Sequence, residues 1–207
     1  MSVLPTNILE QKFAESGYKR VAGVDEAGRG AIAGPVVAAV VVLPGHFDVE
    51  GVRDSKTVPE VERERLYSQI VESTKAWGVG IVDNRRIDKM SILQATFRAM
   101  KQAVTSLAQR PDYVLIDGRD IPKLEITSEG VIKGDSVSLS IAAASIIAKV
   151  TRDRIMRSKH EEFPYYGFRQ NKGYGTVKHR EAVLEYGPCT LHRLTFLGNF
   201  LQERLLL

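Results

Sequence analysis

The segment Val21-Ala-Gly-Val-Asp25-Glu26-Ala-Gly28-Arg29-Gly30 narrows what this chain can become more than any other. An apolar strand closes on two adjacent carboxylates and runs at once into Gly-Arg-Gly. Folding alone gains nothing from that order, because a buried carboxylate is costly unless it is paired or bound to a cation. Neighbouring strand residues point to opposite faces, so Asp25 and Glu26 can serve one site only where the strand ends. The glycines permit a turn there and let backbone N–H groups approach a ligand. Tyr113-Val-Leu-Ile-Asp117-Gly118 repeats the design of apolar strand, acid and glycine. A single strand-end aspartate is commonly a turn former or a helix cap. Two in one chain, where open α/β sheets gather their sites, point to a shared cation site.

The rest of the pattern supplies the sheet and its cover. Strand-like runs fall at 20–27, 35–43, 76–82 and 113–116, the first two joined by a glycine-rich connection over 28–34 that reads as a hairpin. Helical patterns fall at 59–75, 91–108 and 138–158, with short helices within 177–186 and 193–205. Hairpin strands followed by strands alternating with helices predict an α/β domain with a mixed sheet flanked by helices. From residue 163 onward Pro, Gly and aromatic residues break the pattern. The chain therefore divides into a catalytic domain over 1–162 and a small helical C-terminal extension over 163–207 packed on it.

The helix at 138–158 offers a third contribution. Leu139, Ala143, Ile146 and Val150 make its expected buried face, and Ser145, Lys149 and Asp153 stack at steps of four in a polar stripe beside it. The alternative pairs Asp153 with Lys149 or Arg157 on the surface, where such pairs contribute under about 1 kcal/mol. Asp25, Glu26, Asp117 and Asp153 together form an all-oxygen set with no His/Cys cluster. That selects a hard divalent cation, Mg²⁺ or Mn²⁺, over zinc, and such sites support two-metal phosphodiester hydrolysis.

Charge distribution points to the same chemistry. The net charge of +4 only hints at a polyanionic partner. Between Lys149 and Arg180, however, nine Lys/Arg face three acids, with Phe163, Tyr165, Tyr166, Phe168 and Tyr174 interleaved. Basic charge with stacking residues suits a sugar-phosphate backbone, although a solvated basic face reads the same way. The single cysteine, Cys189, excludes an internal disulfide and fits a reducing cytoplasm. No secretory h-region opens the chain, and its longest aliphatic run, Val36 to Leu43, is too short to span a bilayer. A cytoplasmic monomer without membrane contact is expected.

With these motifs in place, the sequence resembles ribonuclease HII, the type 2 ribonuclease H family. The matching segments run in the family's order: Gly23-Val-Asp25-Glu26-Ala-Gly28-Arg29-Gly30, Gly34-Pro35-Val36-Val37-Ala38, Asp54-Ser55-Lys56 and Ile116-Asp117-Gly118. Lys133-Gly134-Asp135, Ser140 through Asp153, Lys172-Gly173-Tyr174-Gly175-Thr176 and His192-Arg193 follow, so the match covers roughly residues 20–200. The resemblance implies a ribonuclease H-like core and a metal site of Asp25, Glu26, Asp117 and Asp153. It implies that Gly28-Arg29-Gly30 reads a ribose 2′-hydroxyl, that Tyr174 packs on the sugar after the scissile phosphate, and that Lys56, Ser145, Lys149, Lys172 and Thr176 contact phosphates. The implied substrates are RNA/DNA hybrids and duplex DNA with embedded ribonucleotides, cut to leave 3′-hydroxyl and 5′-phosphate ends.

Rival readings are a structure-specific DNA nuclease of the same superfold, which would cut an all-DNA duplex, and a catalytically silent nucleic-acid-binding module. Clustered acids argue against the silent module, since negative charge repels phosphates. The sister type HIII carries an extra N-terminal substrate-binding domain for which this chain leaves no room. His192-Arg193 reads as structural, and the apolar end, Phe196 to Leu207, as packing on the domain rather than as a docking peptide.

Overall fold

The computed structural model describes residues 4–74 and 76–198. Five strands form one mixed sheet: β1 (Val21–Ala27), β2 (Val36–Val42), β3 (Ala76–Val82), β4 (Tyr113–Asp117) and β5 (Thr127–Val131), in the order β3-β2-β1-β4-β5. β1, β2 and β3 are antiparallel neighbours, whereas β4 and β5 join β1 in parallel. The helices are α1 (Ile8–Glu15), α2 (Glu60–Ser73), α3 (Asn84–Met90), α4 (Ile92–Thr105), α5 (Leu139–Glu162), α6 (Phe168–Asn171) and α7 (Val177–Tyr186).

Alternation along the central strands sorts side chains to two cores. Ala22, Val24, Val36, Ala38 and Val40 face α4, where Ala95, Ala99, Met100 and Ala103 meet them. Ala39 and Val41 face the other way, towards Leu66 and Ile70 of α2 and the alanine-rich start of α5. Gly23 lies under α5, and a Cβ there would stand 2.3 Å from the Ile141 backbone nitrogen. The helix thus rests directly on the strand that carries Asp25.

The expected strands and long helices are present, and the expected mixed sheet flanked by helices is the fold. Among the strands and the helices of seven residues or more, three elements were not expected. α1 contains no buried residue, so no apolar stripe announces it. α3 is a seven-residue helix, started by the Asp83 carboxylate accepting from the Arg86 N–H, too short to show a period. β5 is a polar edge strand, paired on one side only. The amphipathic reading of α5 also needs correction. From Ser140 to Ala148 every residue is buried, because the sheet, α2 and the 54–58 loop enclose this stretch. Its small residues allow that close approach.

Beyond α5, Tyr166, Phe168, Ala182, Val183 and Leu197 pack with Ile32, Ala33 and Met156. Residues 194–198 are helical, and Phe196 and Leu197 lie against the cores. The remainder of the expected 193–205 helix and the apolar end to Leu207 lie outside the described residues.

Candidate metal centre and nucleic-acid face

Sheet register assembles the acids. Val24 of β1 pairs with Ile116 of β4 in parallel, so Asp25 and Asp117 reach neighbouring strand ends together. The Asp117 carboxylate (Oδ1) then accepts the Gly134 N–H at 2.7 Å, which fastens the 3-10 turn Gly134–Ser136 beside it. That turn delivers Asp135. Carboxylate oxygens of Asp25, Asp117 and Asp135 all lie within 4.8 Å of one another.

Burial and mutual repulsion dominate the electrostatics of these acids. Burial, then Glu26 and Asp117, push the Asp25 carboxyl well above its usual range. Burial, Asp54 and Asp117 likewise raise Asp135. Burial also raises Glu26, against the opposing pull of Arg29, whose guanidinium lies 3.3 Å away. Lys56 reaches over the group, with its ammonium 3.9 Å from Asp135 Oδ2. Burial pulls Lys56 down, but Asp54, Asp25, Asp135 and Asp117 outweigh it and hold the ammonium above its usual value. Converging hard oxygen donors with few cations among them fit a hard divalent ion, which would remove the mutual repulsion.

Asp153 is not brought into this group. Neither is it a surface pair: it is 2% exposed and accepts from Lys149 Nζ at 2.6 Å, with Arg63 NH2 3.6 Å away. Arg63 also donates to the carbonyls of Ser55 and Val58 at 2.6 and 2.9 Å, and the Ser145 and Ser55 hydroxyls meet at 2.7 Å. The polar stripe of α5 thereby pins the loop that carries Lys56. Asp153→Asn should cost about 3 kcal/mol in chemical denaturation, because Lys149 and Arg63 would be left buried without their anion. An unchanged midpoint would contradict that account.

The expected phosphate contacts divide by exposure. Lys56 and Thr176 face solvent. Ser145 is buried on Ser55, and Lys172 is buried with Nζ donating to the Arg169 carbonyl at 2.6 Å and Glu60 Oε2 at 3.2 Å. Lys149 is half-buried on Asp153. None of these three presents a free cation or hydroxyl to a ligand.

Two buried arginines build the turn at Gly28-Arg29-Gly30. Arg152 donates to the carbonyls of Pro35, Lys172 and Ala33 at 2.9, 2.7 and 3.1 Å. Arg193 donates to those of Gly34, Arg29 and Pro35 at 3.0, 2.9 and 3.1 Å. Burial, and then Arg152, lower Arg193 to about 9. Tyr174 joins the turn through a bridge to Ala31, and its ring centre lies 5.2 Å from the Arg152 guanidinium and 5.6 Å from the Lys149 ammonium. One face of the molecule thus carries the acids, the glycine turn and an aromatic ring.

Asp135 is the member of this acidic group that the residue pattern did not single out, although Lys133-Gly134-Asp135 was among the matching segments. It follows β5, whose Thr-Ser-Glu-Gly-Val lacks the apolar run that marked the other two acids. Recognising a third strand before Lys133-Gly-Asp would have found it.

A ribonuclease H-like sheet with converging carboxylates defines a metal-dependent phosphodiester hydrolase. The model of one family, Ribonuclease HII, matches residues 22–198. Ribonuclease HII of Geotalea uraniireducens is 53% identical over 189 residues, 91% of this chain and 88% of that protein. That of Caldanaerobacter subterraneus subsp. tengcongensis is 49% identical over 193 residues, 93% of this chain and 80% of that protein. The crystal structure of ribonuclease H2 from Pyrococcus horikoshii OT3 superposes with a TM-score of 0.70 at 31% identity, covering 85% of this chain and 93% of that one. This chain belongs to the ribonuclease HII family. Among its described residues no helix is long and apolar enough to cross a membrane.

Proposed function

We propose that the protein hydrolyses the RNA strand of RNA/DNA hybrids and incises duplex DNA 5′ of embedded ribonucleotides, leaving 3′-hydroxyl and 5′-phosphate ends. The observation that carries this reading is the convergence of Asp25, Asp117 and Asp135 next to a glycine turn of fixed shape. These three, with Glu26 at the rim, would hold Mg²⁺ or Mn²⁺. Such cations, bound as a pair, would supply an activated water and neutralise charge on the leaving oxygen. Asp153 then serves the site through Arg63 and the 54–58 loop rather than as a ligand.

The protein's own groups do the selecting. Backbone groups of Gly28-Arg29-Gly30 can approach a 2′-hydroxyl closely, the one group that separates ribose from deoxyribose. Tyr174 can pack against the following sugar where no hydroxyl intrudes. Residues from 163 onward act as a substrate-binding extension, because they bring Tyr174 and Thr176 to this face. Backbone contacts then give affinity without sequence choice.

Affinity should fall steeply with salt, by a log–log slope of about −0.9 per neutralised phosphate on duplex DNA. Lys56→Ala should flatten that slope by roughly one unit. An unchanged slope would remove Lys56 from the phosphate path. The test of function itself is cleavage, with Mg²⁺ or Mn²⁺, of a duplex carrying one ribonucleotide beside an all-DNA control. Incision of the first alone supports the proposal. Incision of both favours a structure-specific DNA nuclease.

A further inference from the structure

Beneath Tyr174 two buried histidines form a chain of hydrogen bonds that can run in only one direction. The Cys189 N–H donates to His192 Nδ1 at 3.0 Å, nearer than the Cys189 carbonyl at 3.4 Å, and the Tyr174 carbonyl at the far end can only accept, so this nitrogen is an acceptor. The Cys189 sulfur, 3.2 Å away, remains a thiol because burial pushes its pKa up. His192 therefore carries its proton on Nε2, which stands 3.1 Å from His179 Nε2. His179 must accept there, so its own proton is on Nδ1. That N–H donates to the carbonyl of Tyr174 at 2.8 Å. Each tautomer fixes the other, and both rings are neutral. Burial first, and then His179, lower His192 to about 4, in keeping with that state.

Both ends of the chain are tied to the turn at Gly28–Gly30. On one side the Ile32 and Ala33 N–H groups donate to the Gly173 carbonyl at 2.9 and 3.1 Å. On the other, His192 bridges Ala33, the Gly34 N–H donates to Leu191, and Arg193 holds the Arg29 carbonyl. Tyr174 thus sits on a short loop whose position is set from above by the turn and from below by His179. Folding alone would be served as well by apolar residues here, since Tyr166 and Phe168 already pack against both imidazoles.

We propose that His179 and His192 are positioning residues for Tyr174, holding its ring at the height over the glycine turn that the sugar after the scissile phosphate requires. This rests on the proposed role of Tyr174 in the reaction. The hydrogen-bond partners of the histidines include none of the acids, and the pair acts through one backbone carbonyl.

The experiment is a double-mutant cycle on a single-ribonucleotide duplex, with kcat and KM measured separately. His179→Leu removes the donor and should lower kcat by about tenfold or more with little change in KM, because a misplacement of about 1 Å is that costly. His179→Asn, whose amide can occupy the place of Nδ1–H, should recover most of the loss. In a Tyr174→Ala background, His179→Leu should cost less than about twofold, because the two changes remove one interaction. Equal losses in both backgrounds would mean that His179 only supports the fold, and would overturn the inference. Loss in Tyr174→Ala with wild-type turnover in His179→Leu would overturn the histidines' role alone. Wild-type turnover in Tyr174→Ala would instead overturn the reading of Tyr174 itself. Should His179→Leu fail to fold, ¹⁵N spectra of the wild-type protein at neutral pH decide: Nδ1–H on His179 with Nε2–H on His192 is expected, and the opposite pair contradicts the chain.

Discussion

Asp25→Asn, Asp117→Asn and Asp135→Asn should each lower kcat on an RNA/DNA hybrid by at least about a hundredfold, because each removes one oxygen donor from a group of three. The fold should survive. An asparagine at 117 still offers its carbonyl oxygen to the Gly134 N–H that sets the turn. Without divalent cations these variants should melt no earlier than wild type, and Asp25→Asn should melt later. The sign follows from the raised carboxyl of Asp25, caused by burial first and by Glu26 and Asp117 next. A folded-state pKa above the unfolded value gives stability that is present at low pH and lost as pH rises through the folded value. Removing the charge removes that loss. Melting curves in chelator across pH 4 to about 8 would show it as a flatter profile for Asp25→Asn than for wild type. Glu26→Gln should have the same sign with a smaller shift, since Arg29 already offsets part of its charge.

Gly28→Ala should damage both stability and activity. Gly28 has φ +98°, which L side chains rarely adopt, and an added Cβ would stand 2.0 Å from Arg152 Nε and 2.8 Å from the Pro35 carbonyl. Arg152 cannot swing aside as a surface arginine would, because it is fully buried and donates to three carbonyls. Backbone strain and overpacking each cost about 1–3 kcal/mol, so a loss of several kcal/mol is expected. The damage should extend to activity, because the same arginine holds the Lys172 carbonyl beside the Tyr174 loop. Denaturation midpoints and turnover on a single-ribonucleotide duplex measure both. Gly30→Ala is the matched control: a Cβ at Gly30 meets nothing within 4 Å, and stability should change little. Equal stability losses at 28 and 30 would contradict the arginine clamp.

Much of this was legible from residue order, for identifiable reasons. Asp25 and Asp117 could be found because each follows an apolar run, and parallel register brings them to the same end of β1 and β4. The central sheet was legible because strands buried on both faces must be apolar throughout. The polar edge strand β5 could not be read this way, since one unpaired side and partial exposure relax the demand for apolar residues. Asp135 was hidden with it. Asp153 lies outside the acidic group for a related reason. Spacing at four correctly put Ser145, Lys149 and Asp153 on one stripe of α5, but spacing cannot say what faces a stripe. The loop pinned by Arg63 faces it, not the other acids. Arg152 counted in sequence as part of a basic stretch, whereas it is enclosed with backbone carbonyls as its partners; Arg193, read as structural, is enclosed in the same way. A charge count gives the sign of a face and is silent on which charges reach it.

The proposed activity depends most on which carboxylates hold the cation. The direct measurement is calorimetric titration of Mn²⁺ into wild type, Asp135→Asn and Asp153→Asn, each first checked for folding. Asp135→Asn should weaken binding by at least about tenfold, while Asp153→Asn, though less stable, should bind like wild type. Wild-type affinity in Asp135→Asn, with binding lost in a folded Asp153→Asn, would contradict the metal centre described above and move it onto α5.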